Sequence, residues 1–294
     1  MTTRFDISIV VLNWNTSDLL AGALHSIPAA AGGLRWEVVV IDNASTDGGL
    51  AHVPEDIKND PRFTFIQNEK NLGWAAINLM LGRTSAPYIA TVDPDAVLYS
   101  GALEKLFTFM EVHPEAGAST ATLLNPDGSP QIYFRRLMTP SVFFFTTLLG
   151  RVIDKYFLGL RRWKWYRYED LDVTKISEVE QPAWPCLVWR REALGEYIVE
   201  PRIPFYFLDV DMSKRLYGRG YKIYVVPEAQ AVHLKSTSYG KRESSWRRRE
   251  YNRSIIVYFR KHYPLWAPLI WLQLVLDRAA RAVMLTLVGR EPLR

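Results

Sequence analysis

The chain has 294 residues, of which 48% are hydrophobic and 23% are charged, and this balance excludes a largely disordered protein. Its single cysteine, Cys186, excludes a disulfide framework and a zinc site built from several cysteines, and it favours a reducing compartment. The net charge is +5, from 36 basic and 31 acidic residues. No apolar run reaches the roughly 18 residues of a transmembrane helix, and the run that begins at Ile7 is too short for a signal peptide.

The first 125 residues alternate between short apolar runs and helical patterns. Three segments predict helices, at residues 17–27, 74–81 and 100–112. Five runs predict strands, at residues 7–12, 36–41, 62–67, 88–92 and 116–123. We expect the first helix to end at Pro28, because proline lacks the N–H that continues a helix. Strands that alternate with helices form right-handed units, so we predict an α/β fold with a mainly parallel central sheet.

The rest of the chain is less regular, and residues 132–168 mix aromatic and basic side chains. Beyond them we predict a strand at residues 186–190, a helix opened by Asp209-Val210-Asp211, strands at 221–226 and 229–233, and a helix at 264–288. The polar residues Gln273, Asp277 and Arg281 are spaced four apart in the last helix and form one stripe.

Acidic and amide residues stand where predicted strands end. Asn13, Asp42 and the Asp93-Pro94-Asp95 motif each follow a strand, and ligands of open α/β sheets bind at the carboxyl ends of strands. Two carboxylates that flank a proline form a rigid oxygen-donor site. Such a site suits Mg²⁺ or Mn²⁺ that is also bound by the oxygens of a diphosphate. A solvated turn fits the same motif equally well. Asp42 is placed to accept hydrogen bonds from a base or a ribose, or only to cap the next helix.

Two more residues are candidates for chemistry. Asp209 follows an aromatic segment, residues 204–208, and a carboxylate held there can serve as a general base. A pair of helix-capping residues explains Asp209 and Asp211 as well. His233 ends a predicted strand and is either a metal ligand or a satisfied core residue. The G-x-S-x-G, P-loop and G-x-G-x-x-G motifs are absent, which excludes α/β-hydrolases, P-loop ATPases and classical dinucleotide-binding enzymes.

In their order along the chain, these motifs resemble the inverting family 2 glycosyltransferases of the GT-A fold, in particular the bacterial rhamnosyltransferase-like branch. The resemblance covers about residues 6–265. Its matching segments are residues 9–16, 38–48, 71–75 with Asn78, 93–96, 124–128, 209–211 and 232–234. We therefore expect the GT-A fold, the Rossmann-like fold of nucleotide-diphospho-sugar transferases, followed by a C-terminal helical extension.

The resemblance implies an enzyme that moves a sugar, with inversion, from a nucleotide-diphosphate donor to a hydroxyl of a lipid-linked or polysaccharide acceptor. The implied donor is dTDP-rhamnose or a UDP-sugar, and the implied cofactor is Mg²⁺ or Mn²⁺. Asp209 would be the catalytic base, and Asp42 would bind the nucleobase. The implied metal ligands are Asp95, Asp93 and His233. The implied nucleotide-binding residues are Asn13, Asn15, Asp42, Asn71, Gly73, Asn78 and Asp93.

Two positions depart from the family pattern. Leu208 precedes the expected base where the family usually has Glu, and Trp184-Pro185 stand where it usually has Gly-Ala. Both changes bear on the identity of the acceptor more than on the type of reaction. They also support the alternative function, a non-catalytic nucleotide-binding or membrane-scaffold protein that retains the fold.

We divide the chain into a GT-A domain at residues 1–240 and a basic, amphipathic helical extension at residues 241–294. The domain contains an aromatic and basic insertion at residues 132–180, which we expect to face the acceptor or a membrane. Residues 241–263 hold eight Lys or Arg and two Glu, among them Lys241 and Arg242. Such a patch is typical of a protein that meets an anionic partner.

Uncharged apolar stretches at residues 137–150 and 264–276 are too short to span a bilayer. Basic clusters beside an apolar helix predict docking on an anionic membrane surface, so we expect a cytoplasmic protein at the inner face of the cell membrane. The alternative is a helical hairpin packed on the domain or on a second subunit of a homo-oligomer. Nucleic-acid binding through residues 161–168 is the weaker interpretation and is not expected.

Overall fold

The computed structural model describes residues 5–234 and 244–288. Ten strands in these ranges form one sheet. They are β1 (Ile7–Asn13), β2 (Trp36–Asp42), β3 (Phe63–Gln67), β4 (Tyr88–Val92), β5 (Ala96–Leu98), β6 (Ala116–Leu124), β7 (Pro130–Gln131), β8 (Ser177–Glu178), β9 (Cys186–Arg190) and β10 (Lys222–His233). Eight strands follow in the order β3-β2-β1-β4-β9-β6-β10-β5, while β7 pairs with β6 and β8 with β10.

Helices connect these strands and extend the C-terminal end of the described chain. The α-helices are α1 (Ser17–Ala31), α2 (Glu55–Lys58), α3 (Ala102–Val112), α4 (Pro140–Thr146), α5 (Leu148–Ile153), α6 (Arg162–Tyr166), α7 (Arg191–Leu194), α8 (Leu208–Gly218), α9 (Ser244–His262) and α10 (Ala267–Val288). Three 3₁₀-helices and a π-helical turn lie at Gly49–His52, Gly73–Met80, Pro264–Trp266 and Asp154–Leu158, respectively.

Parallel pairing dominates the sheet. β1 pairs in parallel with β2 and β4, β2 with β3, and β6 with β10, whereas β9 runs antiparallel between β4 and β6. The register sets Asn13 beside Asp42, so β1 and β2 end at the same edge of the sheet. Every residue of β4 is buried, as expected for a central strand covered on both faces. The predicted α/β fold with a mainly parallel central sheet is confirmed.

The first helix is longer than the sequence predicts. α1 continues through Pro28 and ends at Ala31, so the expectation that Pro28 ends it was wrong. Ala30 and Ala31 are fully buried, and their packing outweighs the one helical hydrogen bond that a proline removes.

One strand, β10, replaces the two strands that the sequence predicts at residues 221–226 and 229–233. Its register against β6 slips between Val226 and Gln230, where Pro227 has no N–H to donate. Beyond the slip, β10 pairs antiparallel with β5. The sequence did not predict β5, because three residues are too few to show a strand pattern.

The C-terminal helical extension is confirmed by α9 and α10, although Lys241 and Arg242 lie outside the described residues. α10 is joined to the rest of the chain by its polar stripe: the Leu148 N–H donates to the Asp277 carboxylate at 2.6 Å. Asp277 also pairs with Arg281 at 2.6 Å. None of the helices that the structure describes is both long enough and apolar enough to cross a membrane.

Candidate active site

Asp93, Asp95 and His233 form a group of potential metal ligands, which we call the metal-ligand cluster: one ligand atom of each lies within 4.8 Å of the others. The two aspartates lie in the turn between β4 and β5, and His233 ends β10. The pairing of β5 with β10 sets His233 opposite Ala96. The Leu234 N–H donates to the Asp95 carbonyl at 3.0 Å. The pairing of β5 with β10 therefore places the His233 imidazole next to the two carboxylates.

Gln131 orients the imidazole of His233. Its Nε2 donates to the carbonyls of His233 and Leu124 at 2.7 and 3.1 Å, and these two acceptors fix which way round the amide lies. Its Oε1 lies 3.0 Å from His233 Nδ1. Because that oxygen only accepts, the bond is donated by Nδ1–H, and Nε2 on the other side of the ring lies 3.5 Å from Asp95 Oδ1. A histidine that is held in this way by its other ring nitrogen is typical of metal sites.

The chemistry of the metal-ligand cluster fits a divalent cation. The side chains of Asp95 and His233 are only 8% and 11% exposed. Burial and, to a lesser extent, the charge of Asp95 raise the pKa of Asp93, His233 opposes them, and the net result is a pKa of about 7. Asp93, Asp95 and His233 would hold a divalent cation, whose charge would favour the ionised form of both carboxylates. Two carboxylates and one imidazole suit Mn²⁺ or Mg²⁺.

Asp209 lies in the first turn of α8. Its Oδ2 accepts a hydrogen bond from Gln181 Nε2 at 2.6 Å, and its Oδ1 accepts one from the Val210 N–H at 3.0 Å. Burial raises the pKa of Asp209 above its ordinary value, while the bond from Gln181 and the charge of Arg135 act in the opposite direction. A carboxylate with a raised pKa is a better proton acceptor near neutral pH, which is the property a general base needs.

One short segment, residues 181–185, contacts both Asp209 and the metal-ligand cluster. Gln181 donates to the Asp209 carboxylate, and the Pro185 carbonyl accepts from the Asp93 N–H at 3.0 Å. This segment leads into β9, which pairs with β4, so the sheet fixes its position beside Asp93. The structure thus ties the predicted base and the predicted metal ligands to the same five-residue stretch.

The residues that depart from the family pattern, Trp184-Pro185 and Leu208, lie in this region. Trp184 packs edge-on against Trp74, with ring centroids 5.7 Å apart. Leu208, the residue before Asp209, is buried. The Trp184 indole nitrogen and the Gln181 Oε1 are also buried, and neither has a hydrogen-bond partner. Buried polar atoms are rarely left without a partner, so both are candidates for contact with a substrate.

A hydrogen-bond network joins the loops that follow β1 and β2. Asn13 Nδ2 donates to Asp42 Oδ1 at 2.7 Å, and Gln67 Nε2 and the Ser45 N–H donate to Asp42 Oδ2 at 2.6 and 3.0 Å. Asn15, in the left-handed conformation with φ 54°, fastens the same loops with its side chain. Asp42 is fully buried in this network. A nucleobase would have to displace one of these partners to reach its carboxylate.

Asn71 and Gly73 belong to a second network, which is centred on Asn43. Asn43 Nδ2 donates to Asn71 Oδ1 at 3.1 Å and to the Gly73 carbonyl at 2.9 Å. Asn78 lies apart: its Oδ1 accepts from the N–H groups of residues 198–199 at 2.9 and 3.0 Å, and its Nδ2 donates to a carbonyl there at 2.8 Å. These contacts favour a structural role for Asn78 over the nucleotide-binding role expected from the sequence.

Asp211 has a structural role, unlike Asp209. Its Oδ1 accepts from Lys261 Nζ at 2.6 Å and from His262 Nε2 at 2.7 Å, and its Oδ2 accepts from Arg215 Nε at 3.0 Å. Burial raises the pKa of Asp211, but the bonds from His262 and Lys261 and the charge of Arg215 outweigh it and hold the pKa below its ordinary value. These contacts fasten α8 to α9, which leaves Asp209 as the candidate base of this helix.

Sequence reasoning did not identify Gln131 or Gln181. They lie 102 and 28 residues from His233 and Asp209, the side chains that they position, so no local spacing points to them. Asn43 stands inside the matching segment 38–48, next to Asp42, and a closer reading of that segment could have found it.

The sequence is similar to those of known proteins. The sequence profile of Glycosyl transferase family 2 matches residues 8–196. The chain belongs to this family. The N-acetylglucosaminyl-diphospho-decaprenol L-rhamnosyltransferase of Mycobacterium tuberculosis is 27% identical to this transferase over 249 residues, which are 80% of this chain and 78% of the relative. The resemblance to rhamnosyltransferase-like members of family 2 is therefore confirmed.

Solved structures share the fold of this transferase. The mannosyltransferase PcManGT from Pyrobaculum calidifontis, in complex with GDP-Man and Mn²⁺, matches with a TM-score of 0.56 at 17% identity, over 96% of this chain and 76% of its own. Residues 1–349 of S. aureus TarS, in complex with UDP-GlcNAc, match with a TM-score of 0.56 at 18% identity, over 97% and 76%. These likenesses confirm the expected GT-A fold.

Proposed function

We propose that this transferase moves a sugar from a nucleotide-diphosphate donor to a hydroxyl of a lipid-linked or polysaccharide acceptor, with inversion and with a divalent cation as cofactor. The single observation that carries this proposal is the metal-ligand cluster beside a segment, residues 181–185, that also holds Asp209. Metal-dependent transfer needs these two parts close together, one for the leaving group and one for the attacking hydroxyl.

Asp93, Asp95 and His233 would hold the cation. When bound, Mn²⁺ or Mg²⁺ supplies the positive charge that offsets the negative charge developing on the nucleotide diphosphate. The protein contributes the ligand geometry. Gln131 orients the ring of His233 through Nδ1, and the buried Asp95 carboxylate lies beside Nε2.

Asp209 would accept the proton of the acceptor hydroxyl while that oxygen attacks the anomeric carbon. Each oxygen of Asp209 accepts one hydrogen bond from another residue and has capacity for a second, so one of them can bind the hydroxyl. Attack on the face opposite the departing diphosphate inverts the anomeric carbon. The unpartnered Gln181 Oε1 and Trp184 indole N–H support contacts with sugar hydroxyls in the same place.

The names of related proteins suggest which substrates to try first. The Mycobacterium tuberculosis relative is named as a rhamnosyltransferase that acts on a decaprenyl-diphosphate-linked sugar. We therefore propose dTDP-rhamnose as the first donor and a polyprenyl-diphosphate-linked glycan as the first acceptor. TarS was solved with UDP-GlcNAc, so UDP-sugars are the second choice. Such an acceptor would place the transferase in the cytoplasm, at the inner face of the cell membrane.

Removal of one metal ligand tests the proposed function. We expect the purified full chain to hydrolyse or transfer its donor with Mn²⁺ and to lose this activity in EDTA. In Asp95→Ala the Mn²⁺-dependent rate should fall at least about 100-fold, because a bound cation contributes several kcal/mol to the transition state. The measurement is sugar release from a panel of nucleotide sugars, with and without an acceptor.

The control is Asp172→Ala, which removes an exposed carboxylate outside the metal-ligand cluster and should retain the wild-type rate. Sugar release that is unchanged in EDTA and in Asp95→Ala would contradict the metal-dependent mechanism. No release from any donor with any cation would support the non-catalytic alternative instead.

A further inference from the structure

Two segments that are far apart in the sequence carry exposed apolar side chains and are joined to each other. The first runs through residues 148–160, from α5 into the π-helical turn, and the second through residues 264–283, mostly α10. They lie side by side, because the Leu148 N–H donates to the Asp277 carboxylate at 2.6 Å. We call the two segments together the apolar face.

Large hydrophobic side chains on the apolar face point into solvent. Leu265 is 94% exposed, Phe157 79%, Tyr156 67% and Trp271 59%. Residues of this kind are normally buried, and a contiguous group of them marks a surface that binds something.

α10 is apolar on both its sides. Ile270 is fully buried against the chain, whereas Leu272 and Leu276, which lie one turn apart on the other side, are 44% and 53% exposed. Apart from its polar stripe, α10 is therefore apolar on its outer side as well as its inner side, and an apolar outer side favours a second apolar environment that covers it.

The segments of the apolar face and the residues that follow the first one carry a net positive charge. Residues 148–172 contain six Lys or Arg and four acidic residues, and one of the cations, Lys164, lies 3.8 Å from Glu169. Asp154 is buried, and its oxygens accept hydrogen bonds from the N–H groups of Leu160 and Arg162, so it presents little negative charge to solvent. The one acidic residue of the second segment, Asp277, is paired with Arg281. Exposed apolar side chains beside a net positive charge are complementary to an anionic lipid surface.

The basic helix α6, which follows the first segment of the apolar face, is linked to the candidate active site. The Arg136 N–H donates to the carbonyl of Tyr166, at the end of α6, at 2.9 Å. The neighbouring Arg135 N–H donates to the Gln181 carbonyl at 3.2 Å. Adjacent residues therefore tie α6 to Gln181, which holds Asp209.

We propose that the apolar face inserts into the headgroup region of an anionic lipid bilayer. The aromatic and aliphatic side chains enter the boundary with the acyl chains, and the surrounding Lys and Arg bind lipid phosphates. Docking of this kind would bring Asp209 to an acceptor that is carried by a membrane lipid. This role of the docking rests on the proposed function.

Vesicle binding by the full chain, without any donor, tests the proposal. We expect co-sedimentation with vesicles of phosphatidylcholine and phosphatidylglycerol, and much weaker binding to phosphatidylcholine alone. The double variant Phe157→Ser/Leu265→Ser should lower the partition coefficient more than about tenfold, because two large apolar side chains no longer insert. The matched control, Val112→Ser, changes a side chain that is 68% exposed on α3, and it should bind like the wild type.

Charge is tested by a second pair of variants. Lys155→Glu/Lys164→Glu should weaken binding to the anionic vesicles, and added salt should weaken binding of the wild type. Arg83→Glu, an exposed position away from the apolar face, is the control. Wild-type binding that is equal on neutral and anionic vesicles, or that is unchanged in Phe157→Ser/Leu265→Ser, would overturn the proposal.

A second copy of the chain is the competing occupant of the apolar face. A dimer in analytical ultracentrifugation that Phe157→Ser/Leu265→Ser dissociates, together with no vesicle binding, would overturn membrane docking. Donor hydrolysis in solution separates the two proposals. Hydrolysis without vesicle binding would reject only the docking, and vesicle binding without hydrolysis of any donor would reject only the transferase mechanism.

Discussion

Replacement of Asp209 by asparagine is expected to lower kcat at least about 100-fold and to leave the affinity for the nucleotide donor nearly unchanged. An amide cannot take the proton of the acceptor hydroxyl, so the chemical step loses its base. The variant should fold, because the carboxamide of Gln181 can turn over and offer its unpartnered Oε1 to the new amide N–H. Steady-state kinetics with titration calorimetry of the donor measures both quantities.

Asp172→Asn is the matched control for this experiment, since it makes the same chemical change at an exposed position. It should keep the wild-type kcat. Full turnover by Asp209→Asn would show that another group accepts the proton. A large loss of donor affinity, with kcat retained, would assign Asp209 to donor binding instead.

Removal of the Asp211 side chain is expected to destabilise the protein. Asp211→Ala should lower the free energy of unfolding by about 3 kcal/mol or more, because it leaves buried positive charge without its carboxylate. Lys261 keeps Glu200 as a partner at 2.9 Å, whereas the ion pair of Arg215 and the hydrogen bond of His262 with Asp211 are lost. Urea unfolding at pH 7, followed by fluorescence, measures the change.

Acid should reduce the difference between the wild type and Asp211→Ala. The pKa of Asp211 is lower in the folded chain than its ordinary value, so its contribution to stability is complete above about pH 4 and is lost as the pH falls through the lowered pKa. Asp172→Ala, at an exposed position, should unfold close to the wild-type midpoint. Equal stability of Asp211→Ala and the wild type at pH 7 would contradict the role that we give to this ion-pair network.

The residues of the site that lie at the ends of strands could be predicted from the sequence. A buried apolar run followed by a polar residue marks where a strand stops, and parallel strands stop at one edge of the sheet. Asn13 and Asp42 meet in register for this reason. Asp93 follows β4, which is hydrogen-bonded to the same central strand, β1.

The supporting residues could not be predicted, because long-range pairing places them. Gln131 reaches His233 only through the pairing of β7 with β6 and of β6 with β10. Gln181 lies in a segment with no regular pattern and meets Asp209 only after the chain has folded. The sequence likewise shows that residues 137–150 and 264–276 are apolar, but not that α5 and α10 lie side by side.

We propose above that Asp93, Asp95 and His233 bind a cation that holds the donor diphosphate while Asp209 faces the sugar. A crystal structure of the full chain with Mn²⁺ and a nucleotide sugar tests it most directly, because manganese is located by its anomalous scattering. We predict Mn²⁺ bonded to Asp95 and to His233 Nε2, in contact with the diphosphate, with the Asp209 carboxylate turned toward the anomeric carbon. A nucleotide sugar bound with its diphosphate away from these side chains, or with Asp209 on the far side of the bound sugar from any acceptor, would contradict the account.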